Sequence, residues 1–195
     1  LGAFLKDHPR VSVDLEERLS HEIADALRAG ACDIGVLADS ADLHGLRTVT
    51  FRRDPLALIV PAGHPLAARK VVRLRDCARY PIALPDGSFG TRAILDDLLA
   101  VSSTKLPVEL ESNSFEMLRN LARSGSVVTF QIEIGAPVPE TDPGLVALPL
   151  SDVEMAHGPL VLGQQRGRTL PVATAKFAEQ LARRLGRVVR DGRRE

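Results

Sequence analysis

Few residues in this chain could do chemistry, and their spacing rules out most reactions. His8, His21, His44, His64 and His157 stand far apart. None falls in H-x-x-x-H or H-E-x-x-H, the spacings that set two imidazoles on one helix face around zinc. Each is read as a surface or turn histidine, and no metal site is expected. Cys32 and Cys77 form no C-x-x-C and no disulfide framework, which suits a reducing compartment. Asp96 and Asp97 are neighbours on a helical pattern and point in different directions. Glu16 and Glu17 are neighbours on an alternating pattern and face opposite sides. Both pairs read as solvated side chains rather than as an acid/base pair. The chain has no G-x-S-x-G elbow, no Walker lysine and no G-x-G-x-x-G after a strand. No catalytic residue and no cofactor is assigned.

One local device recurs instead. Three times a strand-like run passes into small polar residues and then a helix: LEERLSHEI at Ser20, LPDGSFGTR at Ser88 and Thr91, and LESNSFEML at Asn113 and Ser114. Such a turn presents free backbone N–H groups and hydroxyls at a helix start. In an open α/β sheet these turns lie at the carboxyl ends of the strands, where ligands bind. The plainer reading makes Ser20, Thr91 and Ser114 ordinary N-caps worth about 1 kcal/mol each. Arg92 is open in the same way. It is either a cation for an anionic ligand or the i+4 partner of Asp96.

The elements that must position these turns follow from periodicity. Helical spacing marks Leu1–His8, Ser20–Gly30, Thr91–Val101, Ser114–Gly125 and Thr174–Val189, the last with Phe177, Leu181 and Leu185 on one face. Alternation marks Val11–Glu17 as a half-buried strand, with Val11, Val13 and Leu15 inward. Short apolar runs mark strands at Cys32–Ala38, Pro55–Pro61, Tyr80–Pro85, Pro107–Ser112, Ser126–Ile132, Gly144–Leu150 and Gly158–Gln165. Ala136–Gly144 reads as a surface loop. Alternating strands and helices predict an α/β fold with a largely parallel sheet.

Composition sets the outer bounds. At 195 residues and 45% hydrophobic content the chain can bury one large core or two small ones. Lys plus Arg equals Asp plus Glu, at 25 each. Arg166–Glu195 nevertheless holds nine Lys/Arg against three Asp/Glu, the pattern of a solvated face on a terminal helix. There is no Trp and a single Tyr, so stacking platforms for single-stranded nucleic acid are scarce. No apolar stretch is long enough to span a membrane, and Leu1 opens no secretory signal.

Together these segments resemble the effector-binding domain of LysR-type transcriptional regulators. The resemblance rests on LGAFLKDHPRVSVDLEE, ALRAGACDIGV with Gly30 and Asp33, and DPLALIVPAGHPLA with His64–Ala67. It continues through ALPDGSFGTRAILDDLL, ELESNSFEMLRNLARSG and PLVLGQQRGRTLPVATAKFAEQL, and so covers nearly the whole chain. It implies two Rossmann-like lobes joined by two crossover strands, like type 2 periplasmic binding proteins. Lobe I would be residues 1–64 with 159–195, and lobe II residues 65–158. An effector would lie in the cleft between them. Carried over, the ligand-binding positions are Ser20, Gly87, Ser88, Phe89, Gly90, Thr91, Arg92, Asn113, Ser114, Phe130 and Gln131. The last two stand where the family has an apolar strand end followed by Pro.

The function this implies is regulatory. A small anionic metabolite would shift the domain between states and so change DNA binding by an N-terminal winged helix-turn-helix. That domain, its linker helix and a first strand are expected upstream of Leu1. DNA would be a partner only through them. A cytoplasmic bacterial homodimer is implied, with a tetramer open to the full-length protein and contacts through Leu1–His8 and Ser114–Ser124. The sequence leaves two alternatives open: an extracytoplasmic solute-binding protein of the same fold, and a small dehydratase-like enzyme.

Overall fold

A computed structural model describes residues 1–38, 41–151 and 157–191, with side chains described at all of these except 50–54, 157–159 and 185–191. Leu185 and the basic Arg187, Arg190, Arg193 and Arg194 therefore lie outside the described side chains, as does His157. The elements in chain order are α1 (Gly2–Asp7), α2 (Ser20–Ala29), β1 (Gly35–Ala38), β2 (Leu46–Pro61), α3 (Leu74–Cys77) and β3 (Ile82–Pro85). They continue with α4 (Gly90–Val101), β4 (Val108–Ser112), α5 (Phe115–Arg123), β5 (Val128–Ile132), β6 (Leu145–Pro149), β7 (His157–Gln165) and α6 (Val172–Asp191).

The chain divides into two compact units, Leu1–Arg52 with Pro159–Glu195, and Arg53–Gly158. Two strands cross the division, β2 at Arg52 and β7 at Gly158. In the second unit, the run Leu56–Val60 has no polar residue, which suits a strand covered on both faces. Leu56, Leu58 and Val60 enter a cluster with Leu84, Leu95, Leu98 and Phe130. Ala57 and Ile59 enter another with Ala122 and Leu145. Helix α4 covers the first face through Leu95 and Leu98, and α5 covers the other through Leu118 and Ala122.

Strand β2 pairs antiparallel with β5 on one side and β6 on the other. Strand β3 pairs parallel with both β4 and β5. The sheet is thus mixed rather than largely parallel. Parallel neighbours need a crossover, and among the described residues the β3–α4–β4–α5–β5 stretch provides it. Strand β6 follows β5 with no α-helix between them, and it returns antiparallel to β2.

In the first unit β1 pairs antiparallel with β7. Helix α2 packs Ala24 and Leu27 against Leu37, Leu46 and Val161. It ends at Gly30, whose φ of 69° is left-handed and open to glycine at no steric cost. Asp33 then takes a 2.7 Å bond from Arg168, and the same guanidinium reaches the Gly30 carbonyl. The Gly30 and Asp33 pattern is therefore a fastening between the end of α2 and the segment leading into α6.

Val11–Glu17 is not a strand. Residues 11–19 carry no regular structure, and Val13 and Leu15 are 36% and 72% exposed. Alternation favours a strand only where a neighbouring edge takes the backbone N–H and C=O groups. Among the described residues no strand pairs with this segment.

The His64 turn carries a pH prediction. His64 Nδ1 accepts from Leu66 N–H at 3.2 Å, and its ring meets Tyr80 edge-on at 4.4 Å. Burial holds its pKa below the ordinary imidazole value. The unfolded chain therefore binds the proton more readily than the folded one. Stability from this group is complete above the unfolded pKa and is lost as pH falls through it towards the folded pKa. Thermal melts of the wild type should decline between about pH 7.5 and pH 5.5, and His64→Asn should flatten that part of the profile. A wild-type profile no steeper than that of His64→Asn would contradict this.

Candidate functional site

Three parallel strands of the second unit end at one level. Pro85 on β3 is the register partner of Ser112 on β4, and Ala83 pairs with Thr129 on β5 two residues before Gln131. Helices α4 and α5 start from the first two of these ends. Their starts touch: the rings of Phe89 and Phe115 meet tilted, with centroids 4.7 Å apart.

The turn from Asp86 to Thr91 is built by its own side chains. The Asp86 carboxylate accepts from the Ser88 backbone N–H at 2.9 Å and from the Ser88 hydroxyl. These bonds, the hydroxyl first, hold the Asp86 carboxyl below the usual carboxylate range. Gly87 and Ser88 are exposed. Gly87 and Gly90 are absent from the glycines with left-handed φ, so the turn does not rest on glycine's conformational freedom. Gly90 is simply the first residue of α4, after the N-cap Phe89, whose side chain makes no cap bond. Thr91 lies one residue further in and is 6% exposed, so it is not the cap.

Of the three expected caps, one caps. Ser114 accepts from Met117 N–H at 3.2 Å, and its own N–H donates to the Ser112 hydroxyl at 3.1 Å. Ser114→Ala should lower stability by about 1 kcal/mol, measurable by urea denaturation; no change would deny the cap its role. Asn113 beside it is exposed. Ser20 is the first residue of α2 rather than its cap. Its hydroxyl accepts from Ala38 N–H at 3.1 Å, tying α2 to the end of β1 within the first unit. The start of α2 is closed by Glu22, which accepts from Leu19 N–H at 2.9 Å.

Arg92 is committed within the fold. It donates to Asp96 at 2.9 Å, to Glu111 at 2.8 Å and to the Pro85 carbonyl at 3.2 Å. These partners, Asp96 first, raise its pKa further. The i+4 pair is therefore present, and it comes with a second carboxylate from β4. Arg92 holds α4 against the ends of β3 and β4, and its charge is already matched there.

The two candidates on β5 separate. Phe130 is fully buried and belongs to the core with Leu56, Leu58 and Leu95. Adjacent strand residues face opposite ways, and its face is the α4 side. Gln131 faces the α5 side and is 5% exposed. Its Oε1 and the Oγ1 of Thr129 are buried without a hydrogen-bond partner. An orphaned buried polar atom costs about 1–3 kcal/mol. Thr129 was not among the candidates. Its signal lay in SVVTFQI, where two polar residues stand two apart inside an apolar run.

This strand-end surface offers hydroxyls, helix-start N–H groups and a buried amide. Among the described residues, no cluster of His, Cys, Asp or Glu could hold a metal ion. Nor is any helix among them long and apolar enough to cross a membrane. The architecture defines a two-unit α/β binding domain. The chain belongs to the LysR substrate binding domain family, whose model matches residues 1–186. This is a family of regulators, not of enzymes.

Relatives and solved structures agree. The chain is 28% identical over 152 residues to a "Probable RuBisCO transcriptional regulator" of Cyanophora paradoxa, covering 75% of this chain and 47% of that one. A protein of the same description from Emiliania huxleyi is 25% identical over 149 residues, covering 69% and 48%. The chain thus spans about half the length of the curated relatives it matches. HinK, a LysR family regulator from Pseudomonas aeruginosa, superposes with a TM-score of 0.79 at 22% identity, over 96% of this chain and 64% of that one. The regulatory domain of CcmR from Synechocystis PCC6803, solved with 2-PG, gives 0.73 at 17%, over 96% and 88%. The effector-binding domain of QuiR, solved with shikimate, gives 0.74 at 15%, over 95% and 88%.

Proposed function

We propose that this chain is the effector-binding part of a LysR-type transcription factor, and that a small polar effector docks at the strand ends of the second unit. The observation that carries this is the convergence of Gly87–Thr91, Asn113, Ser114 and Gln131 on the ends of three parallel strands. Such ends, with two helices starting from them, form a ready ligand site. Effector complexes of CcmR and QuiR, which share the fold, support the reading. Effector binding would shift the population of states seen by a DNA-binding domain elsewhere in the protein, in the cytoplasm.

Ser88 and Asn113 test the site most simply, because both are exposed and neither supports the core. With a metabolite that raises the melting point, Ser88→Ala and Asn113→Ala should each weaken its binding about tenfold. Each should also change the unliganded stability by no more than about 0.5 kcal/mol, the size of an ordinary surface change. A large loss of unliganded stability with normal binding would make them structural and remove the site.

The partner reading is a homodimer. Exposed apolar side chains support it: Leu1, Val13 and Leu15 in the first unit, and Val108, Leu110 and Met117 in the second. Leu1 precedes α1, Met117 lies on α5, Val108 and Leu110 lie on β4, which leads into α5, and Val13 and Leu15 lie between α1 and α2. Sedimentation at micromolar concentration should show a dimer, and Met117→Glu with Leu15→Glu should give a monomer. A wild-type monomer would count against the interface.

A further inference from the structure

Thr129 Oγ1 and Gln131 Oε1 are the buried side-chain polar atoms without a partner among the described residues. The two residues stand two apart on β5 and so share one face. Beside them in the sheet are Ala57, Ile59 and Ala83. On the same face lie Ala122 of α5 and Ala136, in one cluster with Ala57 and Ile59. None of these neighbours carries a side-chain hydrogen-bonding group. Gly135 belongs to the same arrangement: a Cβ there would come within 2.5 Å of Gln131 Nε2, so the chain leaves room for the amide. A methionine would fill the same shape without burying an unpaired oxygen. Gln131 is also placed for contact. It is one residue from the end of β5, level with Pro85 and Ser112, where α4 and α5 begin.

We propose that Gln131, backed by Thr129, is the specificity-determining residue of the effector site. Its amide oxygen accepts a hydrogen bond from an effector hydroxyl. The ligand class is therefore a small hydroxylated molecule, recognised in the second unit through its hydroxyl. Arg92 points the same way. Its guanidinium is bonded to Asp96 and Glu111, and that of Arg119, which reaches the Gly135 carbonyl, is bonded to Glu116, so both cations are already paired rather than open to a bare carboxylate or phosphate. A site built to bond a hydroxyl rejects the analogue lacking it, because its own buried acceptor is then left unpaired. This inference rests on the effector-domain reading above and sharpens it.

The test uses this chain, with Gln131→Met and Thr129→Val, which keep volume and remove the polar atom. Without any addition, both variants should melt at or above the wild-type temperature, since each removes an unpaired buried group. A clear fall in both would mean the atoms are satisfied within the fold, and would overturn the proposal. The probes are shikimate and glycerate, each matched to its dehydroxylated counterpart, cyclohexene carboxylate and propionate. Wild-type protein should be stabilised by at least one hydroxylated probe more than by its counterpart. Gln131→Met should lose that preference, with the binding midpoint weakened about tenfold, the size expected for one lost hydrogen bond. Equal stabilisation by matched probes, or an unchanged preference in Gln131→Met, would overturn the proposal while leaving an effector site in place. No stabilisation by any of the four would overturn the ligand class. The effector-domain reading itself is tested separately, by a broad metabolite screen.

Discussion

Phe130→Ala will lower the stability of the second unit by about 3–5 kcal/mol, the cost of emptying a large core position. Phe130 is fully buried and packs with Leu56, Leu58, Leu84 and Leu95, so its removal leaves a cavity that β2, β3 and α4 cannot close. Against a typical total of about 5–15 kcal/mol, that loss is a large part of what holds the fold. Urea denaturation followed by far-UV circular dichroism measures it. Phe130→Leu should lose much less, because it retains most of the buried area. A loss below about 1 kcal/mol in Phe130→Ala, with effector binding abolished, would return Phe130 to the ligand site.

Effector at saturation should have the next largest effect. A ligand that binds only the folded state, held at 100 times its dissociation constant, stabilises by about 2.7 kcal/mol. For a chain of this size the melting point should then rise by roughly 5–10 °C. A thermal-shift screen of small metabolites should yield compounds with such shifts, rising with the logarithm of concentration. A screen in which no metabolite moves the melting point would contradict an effector-binding role.

Much of the second unit was legible because its signals are local. The apolar stripes of α4 and α5, the buried run in β2 and the Ser114 cap are all written within a dozen residues. The place of the Asp86–Thr91 turn, between a strand and a helix, could be read in the same way. What escaped depends on neighbours distant in sequence. Periodicity shows that Val11, Val13 and Leu15 share a face, but a strand also needs a partner edge, and that is not a local property. The mixed sheet escaped for the same reason, since pairing direction follows from which connections carry a helix. Residue types suggested caps and a free cation where contacts decide otherwise. Ser20 bonds to Ala38, Thr91 is buried beyond the cap, and Arg92 is held by Asp96 and Glu111. Phe130 and Gln131 are adjacent in sequence and lie on opposite faces of β5, one in the core under α4 and the other with a buried, unpartnered oxygen.

The central claim is that the effector docks at the strand ends of the second unit. It is tested most directly by amide chemical shifts, recorded on the isotopically labelled chain while a stabilising metabolite is titrated. The shifts should concentrate at Gly87–Thr91, Asn113–Ser114 and the side-chain amide of Gln131, and saturate together. Shifts that saturate elsewhere, with these residues unmoved, would contradict the account.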